Sequence, residues 1–188
     1  MIVRRRVALL LAAVSVTGVV AALALPTLKK TVDEITLPLR HEDIIRQQAA
    51  EKGLDPALLA GVIYAESKFR DLTSHAGAKG LMQLTPDTAR YIAEHSGGTK
   101  FELADLSTPQ VNISYGAWYL RFLTNKYRGN LVLTLAAYNA GSGNVDRWLA
   151  EGKTRVRDIP FAETREYVKR VIDARGAYAR EYKDELGL

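Results

Sequence analysis

One glutamate, Glu66, closes an apolar run and stands just ahead of a glycine-punctuated segment. On a helix, Leu59, Val62 and Ile63 fall on its own side, one and two turns back. A carboxyl beside such neighbours is poorly solvated. Its charged form is disfavoured and its pKa rises. A group of that kind holds a proton near neutral pH and can give it up, which is what a general acid must do. Arg70, four residues on, offers the opposite outcome. An ion pair with it would lower the pKa and leave Glu66 a solvated helix-end carboxylate. Downstream, Gly77 and Gly80 permit tight turns and close approach of a ligand, and the Gln83 amide both donates and accepts. A carboxyl at a helix end, facing a loop of this kind, makes the floor of a cleft.

The elements that must position these groups read as helices. Asp55 suits an N-cap and Pro56 a first turn, so a helix is predicted over 55–69, apolar on nearly every side and therefore buried. A short helix over 41–52 precedes it, with Ile44, Ile45 and Ala49 inward and Gly53 as its C-cap. Thr85-Pro86 opens a helix over 86–95, and residues 99–106 read as irregular. Ser107-Thr108-Pro109 opens a longer helix reaching residue 127. Its apolar band of Val111, Tyr115, Trp118, Phe122 and Leu123 is read as core packing. Asn130 caps a helix over 131–140, and another runs over 144–151, closed by Gly152. A basic connector over 153–160 leads to a last helix over 161–182, with Tyr167, Val168, Val171, Ile172 and Tyr178 on one side. No stretch alternates convincingly as a strand, although residues 80–84 are compatible with extended backbone. The expected fold class is all-α, helices packed around one cleft.

Three motifs in order carry a family resemblance. Residues 65–89 (AESKFR…SHAGAKGLMQLTPDTA), 137–141 (AYNAG) and 159–168 (IPFAETREYV) resemble the soluble lytic transglycosylases, lysozyme-like enzymes that cut bacterial peptidoglycan. Residues 112–120 (NISYGAWYL) also resemble the family's N-I-x-x-G-x-x-Y-L helix. The resemblance covers roughly residues 38–182 and refines the fold to a lysozyme-like one. The spacing from Glu66 to Gly77 is one residue shorter than the family pattern, and Thr85 stands where many relatives carry methionine.

The resemblance implies that Glu66 is the catalytic acid and base. An ordinary glycosidase uses two carboxylates, for which Asp71 is near in sequence. The family works with one, and the N-acetyl carbonyl of the muramic sugar supplies the second group. The glutamate protonates the leaving oxygen, then takes the C6 hydroxyl proton as a 1,6-anhydro ring closes. Ser74 and Gln83 fall where the family places cleft-lining polar groups, against the plainer reading of loop polarity. The Tyr138 hydroxyl can orient a carboxyl and the Asn139 amide can hold an N-acetyl or peptide group. Their plainer reading is a core tyrosine and a C-cap. Glu163 suits the first turn of its helix through the helix dipole, and the resemblance adds a role in binding the glycan or its peptide. The alternatives are a hydrolytic muramidase on the same fold and, from another class, a non-catalytic wall-binding protein.

Composition narrows the rest. There is no cysteine, so neither disulfides nor thiolate sites form, and His41, His75 and His95 lack metal-ligand spacing. No cofactor is expected. The net charge of +5 owes much to Arg4, Arg5 and Arg6, and no nucleic-acid motif accompanies it. Those arginines precede residues 7–25, nineteen positions without a charge, close to the span of a bilayer core. Residues 1–28 are read as a signal anchor or signal peptide. The length of the run favours the anchor, and Ala22-Leu23-Ala24 offers a cleavage site. Residues 29–39 are a linker and 40–188 the catalytic domain. The expected partners are peptidoglycan strands and, through the N-terminal helix, the cytoplasmic membrane, with the domain on its outer side. A reporter fused after Leu188 should therefore be active outside the cytoplasm. N-terminal sequencing of the mature protein separates anchor from cleaved signal, and cytoplasmic reporter activity alone would contradict both.

Overall fold

The structure, a computed structural model, describes residues 36–97 and 101–188. The N-terminal segment 1–28 and most of the linker lie outside the described residues. No helix among the described residues is long and apolar enough to cross a membrane. Residues Leu39–Leu188 form one compact unit. Its elements are α1 (Glu42–Lys52), α2 (Pro56–Ser67), α3 (Pro86–His95), α4 (Pro109–Lys126), α5 (Leu131–Ala140), α6 (Ser142–Ala150), α7 (Ala162–Glu181) and α8 (Lys183–Leu186). Short 3₁₀ turns at Leu103–Ser107 and Val156–Asp158 occupy segments read from the sequence as irregular or connecting. The fold is mainly helical, as expected.

The capping residues act as their chemistry dictates. The Asp55 carboxylate accepts from the Ala57 N–H at 2.8 Å, Thr85 Oγ1 from Thr88 N–H at 3.2 Å, and Asn130 Oδ1 from Leu133 N–H at 3.1 Å. Gly53 closes α1 in the left-handed conformation, φ 62°. Helix α2 is the hub of the core: Ala57, Leu59, Ala60, Val62 and Ile63 are all fully buried. It ends at Ser67, two residues earlier than the hydrophobic pattern suggests. Lys68 and Phe69 both take left-handed backbone, φ 53° and 60°. Phe69 leaves the helix to bury its ring against Tyr178, centroids 5.9 Å apart. That exit exposes the last turn of α2, and so Glu66, to the following loop.

Helix α2 packs most extensively on α7, and the two run antiparallel. Asp55 pairs with Arg175 at 2.6 Å at one end. Midway, a Cβ on Gly61 would lie 3.0 Å from the Arg175 nitrogen and 3.1 Å from the Val171 carbonyl oxygen, so the backbones meet there. This close approach brings Tyr167 of α7 to the Glu66 end of α2.

The loop between α2 and α3 is held by side chains from below. Asn112 of α4, 1% exposed, makes three hydrogen bonds: its Oδ1 accepts from Met82 N–H (2.8 Å) and its Nδ2 donates to the Lys79 and Leu106 carbonyls (both 3.0 Å). The Ser67 hydroxyl donates to the Leu81 carbonyl at 2.7 Å. Lys79 and Leu84 exchange both backbone hydrogen bonds, and Thr73 bridges to Lys79. Residues 80–83 are therefore a tight turn between isolated bridges, and among the described residues no strand forms. A Cβ on Gly80 would sit 2.6 Å from the Leu106 carbonyl oxygen, so glycine is required there by both space and its φ of 76°. Met82 packs its sulfur onto the bare α-carbon of Gly116.

Asn112→Ala strips partners from one buried N–H and two buried carbonyls. We expect a loss of roughly 3 kcal/mol or more in urea unfolding, with the loop rather than the α2–α7 pair losing amide protection first. An unchanged midpoint would remove Asn112 from this role.

Candidate active site

Glu66 sits in the last turn of α2 and is half-buried. Burial raises its pKa from an ordinary 4.5 to about 7. The Tyr167 hydroxyl, as a donor, and the Arg170 charge both work in the opposite direction without cancelling it. Arg70 does not form the ion pair that sequence spacing allowed. Its guanidinium Nε turns back to the Ser67 carbonyl at 3.3 Å. The cation that acts on Glu66 is Arg170, more than a hundred residues away in the chain. Its guanidinium lies over the Tyr167 ring at 5.9 Å.

Two tyrosines flank the carboxyl. Tyr167 is 2% exposed and its pKa is pushed well up, by burial first and then by the Glu66 charge, so it stays a protonated donor. Its hydroxyl faces Glu66 but closes no hydrogen bond of normal geometry among the described residues. Tyr138 is shifted upward for the same two reasons. Its proton is committed elsewhere: the hydroxyl donates to the Met82 carbonyl at 3.0 Å. Its direct hold is thus on the loop.

The Ser67–Leu81 bond ties the loop to the last turn of α2. Ser74 Oγ accepts from Ala78 N–H at 3.0 Å, which leaves its own proton for a ligand. Gln83 has left-handed backbone, φ 48°, and its Nε2 donates to the Leu72 and Gly80 carbonyls at 2.9 and 2.8 Å. Its amide nitrogen staples the loop, so the carbonyl oxygen is the atom it offers outward. Asn139 Oδ1 accepts from the buried Thr164 hydroxyl at 2.8 Å, joining the end of α5 to the start of α7. Glu163, next to Thr164, is exposed in the first turn of α7. Asn139 and Glu163 thus share one edge through Thr164. Asp71 is exposed and does not act on Glu66.

Sequence reading gave Tyr167 to the core, and Arg170, Asn112, Ser67 and Gly61 no role. Tyr167 does pack its ring in the core, and its hydroxyl alone reaches the site. The signal was present, because Tyr167 stands in IPFAETREYV four residues after Glu163, on the same helix face. The aromatic band of α4 is also placed differently. Tyr115, Trp118, Tyr119 and Phe122 are half-buried. The buried face is Asn112, Ile113, Gly116, Ala117, Leu120 and Leu123.

A helical domain with one half-buried carboxyl of raised pKa at a helix end, two tyrosines coupled to it and a stapled glycine loop tied to the same helix belongs with the lysozyme-like folds. The comparisons agree. Residues 43–159 match the family model for the transglycosylase SLT domain, and the chain belongs to that family. It is 32% identical over 157 residues to the soluble lytic murein transglycosylase of Escherichia coli, covering 79% of this chain and 24% of that protein. It is 28% identical to membrane-bound lytic murein transglycosylase C of Klebsiella pneumoniae, covering 76% of this chain and 47% of that one. The solved structure of an inactive glutamate-to-glutamine mutant of lytic transglycosylase Slt from Pseudomonas aeruginosa superimposes with a TM-score of 0.75 and 35% identity. The match covers 80% of this chain and 26% of that one. The chain thus spans a quarter to a half of the length of these relatives.

The electrostatics give two signed expectations. Tyr167→Phe removes a donor that lowers the Glu66 pKa, so the carboxyl should titrate above 7, read by NMR of a labelled Glu side chain; Arg170→Met should move it the same way. Because the folded pKa lies above its ordinary 4.5, the associated stability is full below about pH 4.5 and declines as pH rises through about 7. Glu66→Gln should lack that decline, gaining up to about 3 kcal/mol over wild type at alkaline pH and little at acid pH in urea unfolding. Parallel pH–stability curves would contradict the raised pKa.

Proposed function

We propose that this chain is a peptidoglycan lytic transglycosylase with Glu66 as its one acid and base. The observation that carries the reading is the Glu66 carboxyl itself, protonatable near neutrality, with no second carboxylate acting on it among the described residues. Two-carboxylate hydrolysis needs a base or nucleophile opposite the acid, and Asp71, the carboxylate near in sequence, is exposed. One group used twice fits what is present. The P. aeruginosa relative described as inactive differs by a glutamate-to-glutamine change, in keeping with a glutamate doing this work in the family.

In the first step the Glu66 proton passes to the glycosidic oxygen between N-acetylmuramic acid and N-acetylglucosamine. The C1–O4 bond breaks, and the N-acetyl carbonyl of the muramic sugar stabilises the cationic carbon. In the second step the Glu66 carboxylate takes the C6 hydroxyl proton and O6 bonds to C1. The enzyme returns to its starting protonation state and no water is consumed. Tyr167 and Arg170 keep the carboxyl from holding its proton too tightly, which matches acid strength to the medium. The Ser74 hydroxyl, the Gln83 carbonyl, Tyr138, Asn139 and Glu163 line the cleft as substrate-binding groups. Residues 40–188 form the catalytic domain. The arginine-led apolar segment 1–28 carries it to the outer side of the cytoplasmic membrane, a reading supported by the membrane-bound K. pneumoniae relative.

Glu66→Gln keeps shape and hydrogen-bonding capacity but cannot shuttle a proton. Digestion of purified peptidoglycan should slow by roughly 10²-fold to 10⁴-fold. Wild-type activity should fall as pH rises through about 7, because only the protonated form is an acid. Mass spectrometry should show 1,6-anhydromuramic ends, lighter by one water than hydrolysed ends. Full-mass reducing ends would make the enzyme a muramidase. Substantial activity in folded Glu66→Gln would refute the assignment.

A further inference from the structure

Thr164 is the third residue of α7 and is 2% exposed. A hydroxyl at that depth must give its proton to a partner. Inside a helix the usual acceptor is the carbonyl four residues back. For Thr164 that residue is Pro160, which precedes the helix, and its carbonyl accepts from Arg165 Nη1 at 3.1 Å. The Thr164 proton crosses instead to α5, to Asn139 Oδ1 at 2.8 Å. Thr164 stands one turn before Tyr167 on the buried face of α7, and Asn139 directly follows Tyr138. The bond therefore lies beside the two tyrosines on which the Glu66 charge acts.

That bond decides which end of the Asn139 amide is offered outward. An amide carries an acceptor at one end and two N–H donors at the other. Its last torsion is broad and roughly two-fold, so an amide held by nothing presents either end. Asn139 is exposed, and the polar partner that fixes its plane is Thr164. With Oδ1 held inward by a donor, Nδ2 is turned away from the buried hydroxyl, and it has no protein partner among the described residues. The atoms left for a ligand are thus donors alone. Their complement is an acceptor with no proton of its own. A sugar hydroxyl both donates and accepts, so it suits either end of an amide. The carbonyl of an acetamido group only accepts, and it suits one end.

We propose that Thr164 is a positioning residue whose buried hydroxyl fixes the Asn139 amide with its N–H groups outward, so that this edge selects an acetamido carbonyl of the glycan strand. Thr164 itself touches no sugar; it acts through Asn139. The inference rests on the substrate class and the binding role of Asn139 proposed above, and not on the bond-breaking chemistry of Glu66.

The test uses the full chain carrying Glu66→Gln, so that nothing is cleaved, titrated calorimetrically with the N-acetylglucosamine tetramer. Thr164→Val keeps the branched shape without the hydroxyl, and Thr164→Ser keeps the hydroxyl. Thr164→Val should weaken binding by about 5-fold, the worth of one hydrogen bond used to hold an orientation, and Thr164→Ser by less than about 2-fold. Asn139→Asp still gives Thr164 an oxygen but turns a second oxygen outward in place of the N–H groups. It should stay folded and bind about 10-fold more weakly or worse. In an Asn139→Ala background, Thr164→Val should cost no further affinity, because no amide is left to orient. With Glu66 restored, Thr164→Val should raise KM on peptidoglycan and leave kcat within about 2-fold.

Undiminished tetramer binding in Thr164→Val overturns the proposal, as does the same loss with and without Asn139, which would make Thr164 structural only. If Thr164→Val does not fold, Asn139→Asp decides: full binding there means that the outward atom need not be a donor, and the proposal falls. Absence of tetramer binding by the parent also overturns it, and so does a defect confined to peptide-bearing strands, which would assign the amide to a peptide. If wild-type protein fails to cleave peptidoglycan while the Thr164 and Asn139 effects on the tetramer persist, the catalytic reading falls and the positioning role stands.

Discussion

Burying one carboxyl at the end of a helix is the constraint on which the rest of this structure depends. Glu66 stands at the C-terminal end of α2, where the helix dipole already disfavours a negative charge, and apolar packing removes much of its water. Such a group is tolerable only if it can hold a proton and if its neighbours are fixed. The α2–α7 pair supplies the fixing. The backbones touch at Gly61, and that contact decides how near Tyr167 and Arg170 come to the carboxyl. The pair is thus both the core of the domain and the device that sets the acid's strength.

The loop facing the carboxyl is irregular, and its rigidity comes from outside it. Asn112 and Ser67 reach its backbone from two different helices, and the Gln83 side chain closes it from within. Tyr138 adds a fourth tie at Met82. Backbone polar groups in a loop without helix or sheet must find such partners or stay in water. Here the partners come from the elements that build the catalytic floor, so loop position and carboxyl position are mechanically linked. The left-handed backbone at Lys68, Phe69 and Gln83 marks where the chain is bent to make those ties.

Helix α4 serves two surfaces at once. Its small and polar residues, Asn112, Gly116 and Ala117, face inward, where the loop and Met82 must approach closely. Its rings stand half-buried on the flank, where Tyr115, Trp118 and Tyr119 pack against a cluster of Leu84, Ala89, Ile92 and Leu106. Where Met82 approaches, the inward face has room only for Gly116, while Ile113, Leu120 and Leu123 fill the rest of it. The large rings go where there is space, and a wall of half-covered aromatic faces results.

The sequence by itself determined the local structure and the chemistry on offer. Caps at Asp55, Thr85 and Asn130 and the C-cap glycine at Gly53 act through bonds spanning a few residues, so their effect was readable without a fold. The apolar circumference of α2, the placement of Glu66 in its last turn, and the motifs that carry the family were equally legible. Only the tertiary structure decided which partner the acid has. Arg70 and Arg170 were both available cations; Arg70 folds back on Ser67, and packing brings Arg170 in from the far end of the chain. Periodicity tells which residues share a helix face but not what that face meets. Tyr167 therefore looked like core alone, and the loop partner of the Tyr138 hydroxyl was not legible, until the positions of Glu66 and of the Met82 carbonyl supplied them. Contacts over a hundred residues in separation depend on how α2 and α7 approach, and that approach is set by three-dimensional packing at Gly61, which no local pattern encodes.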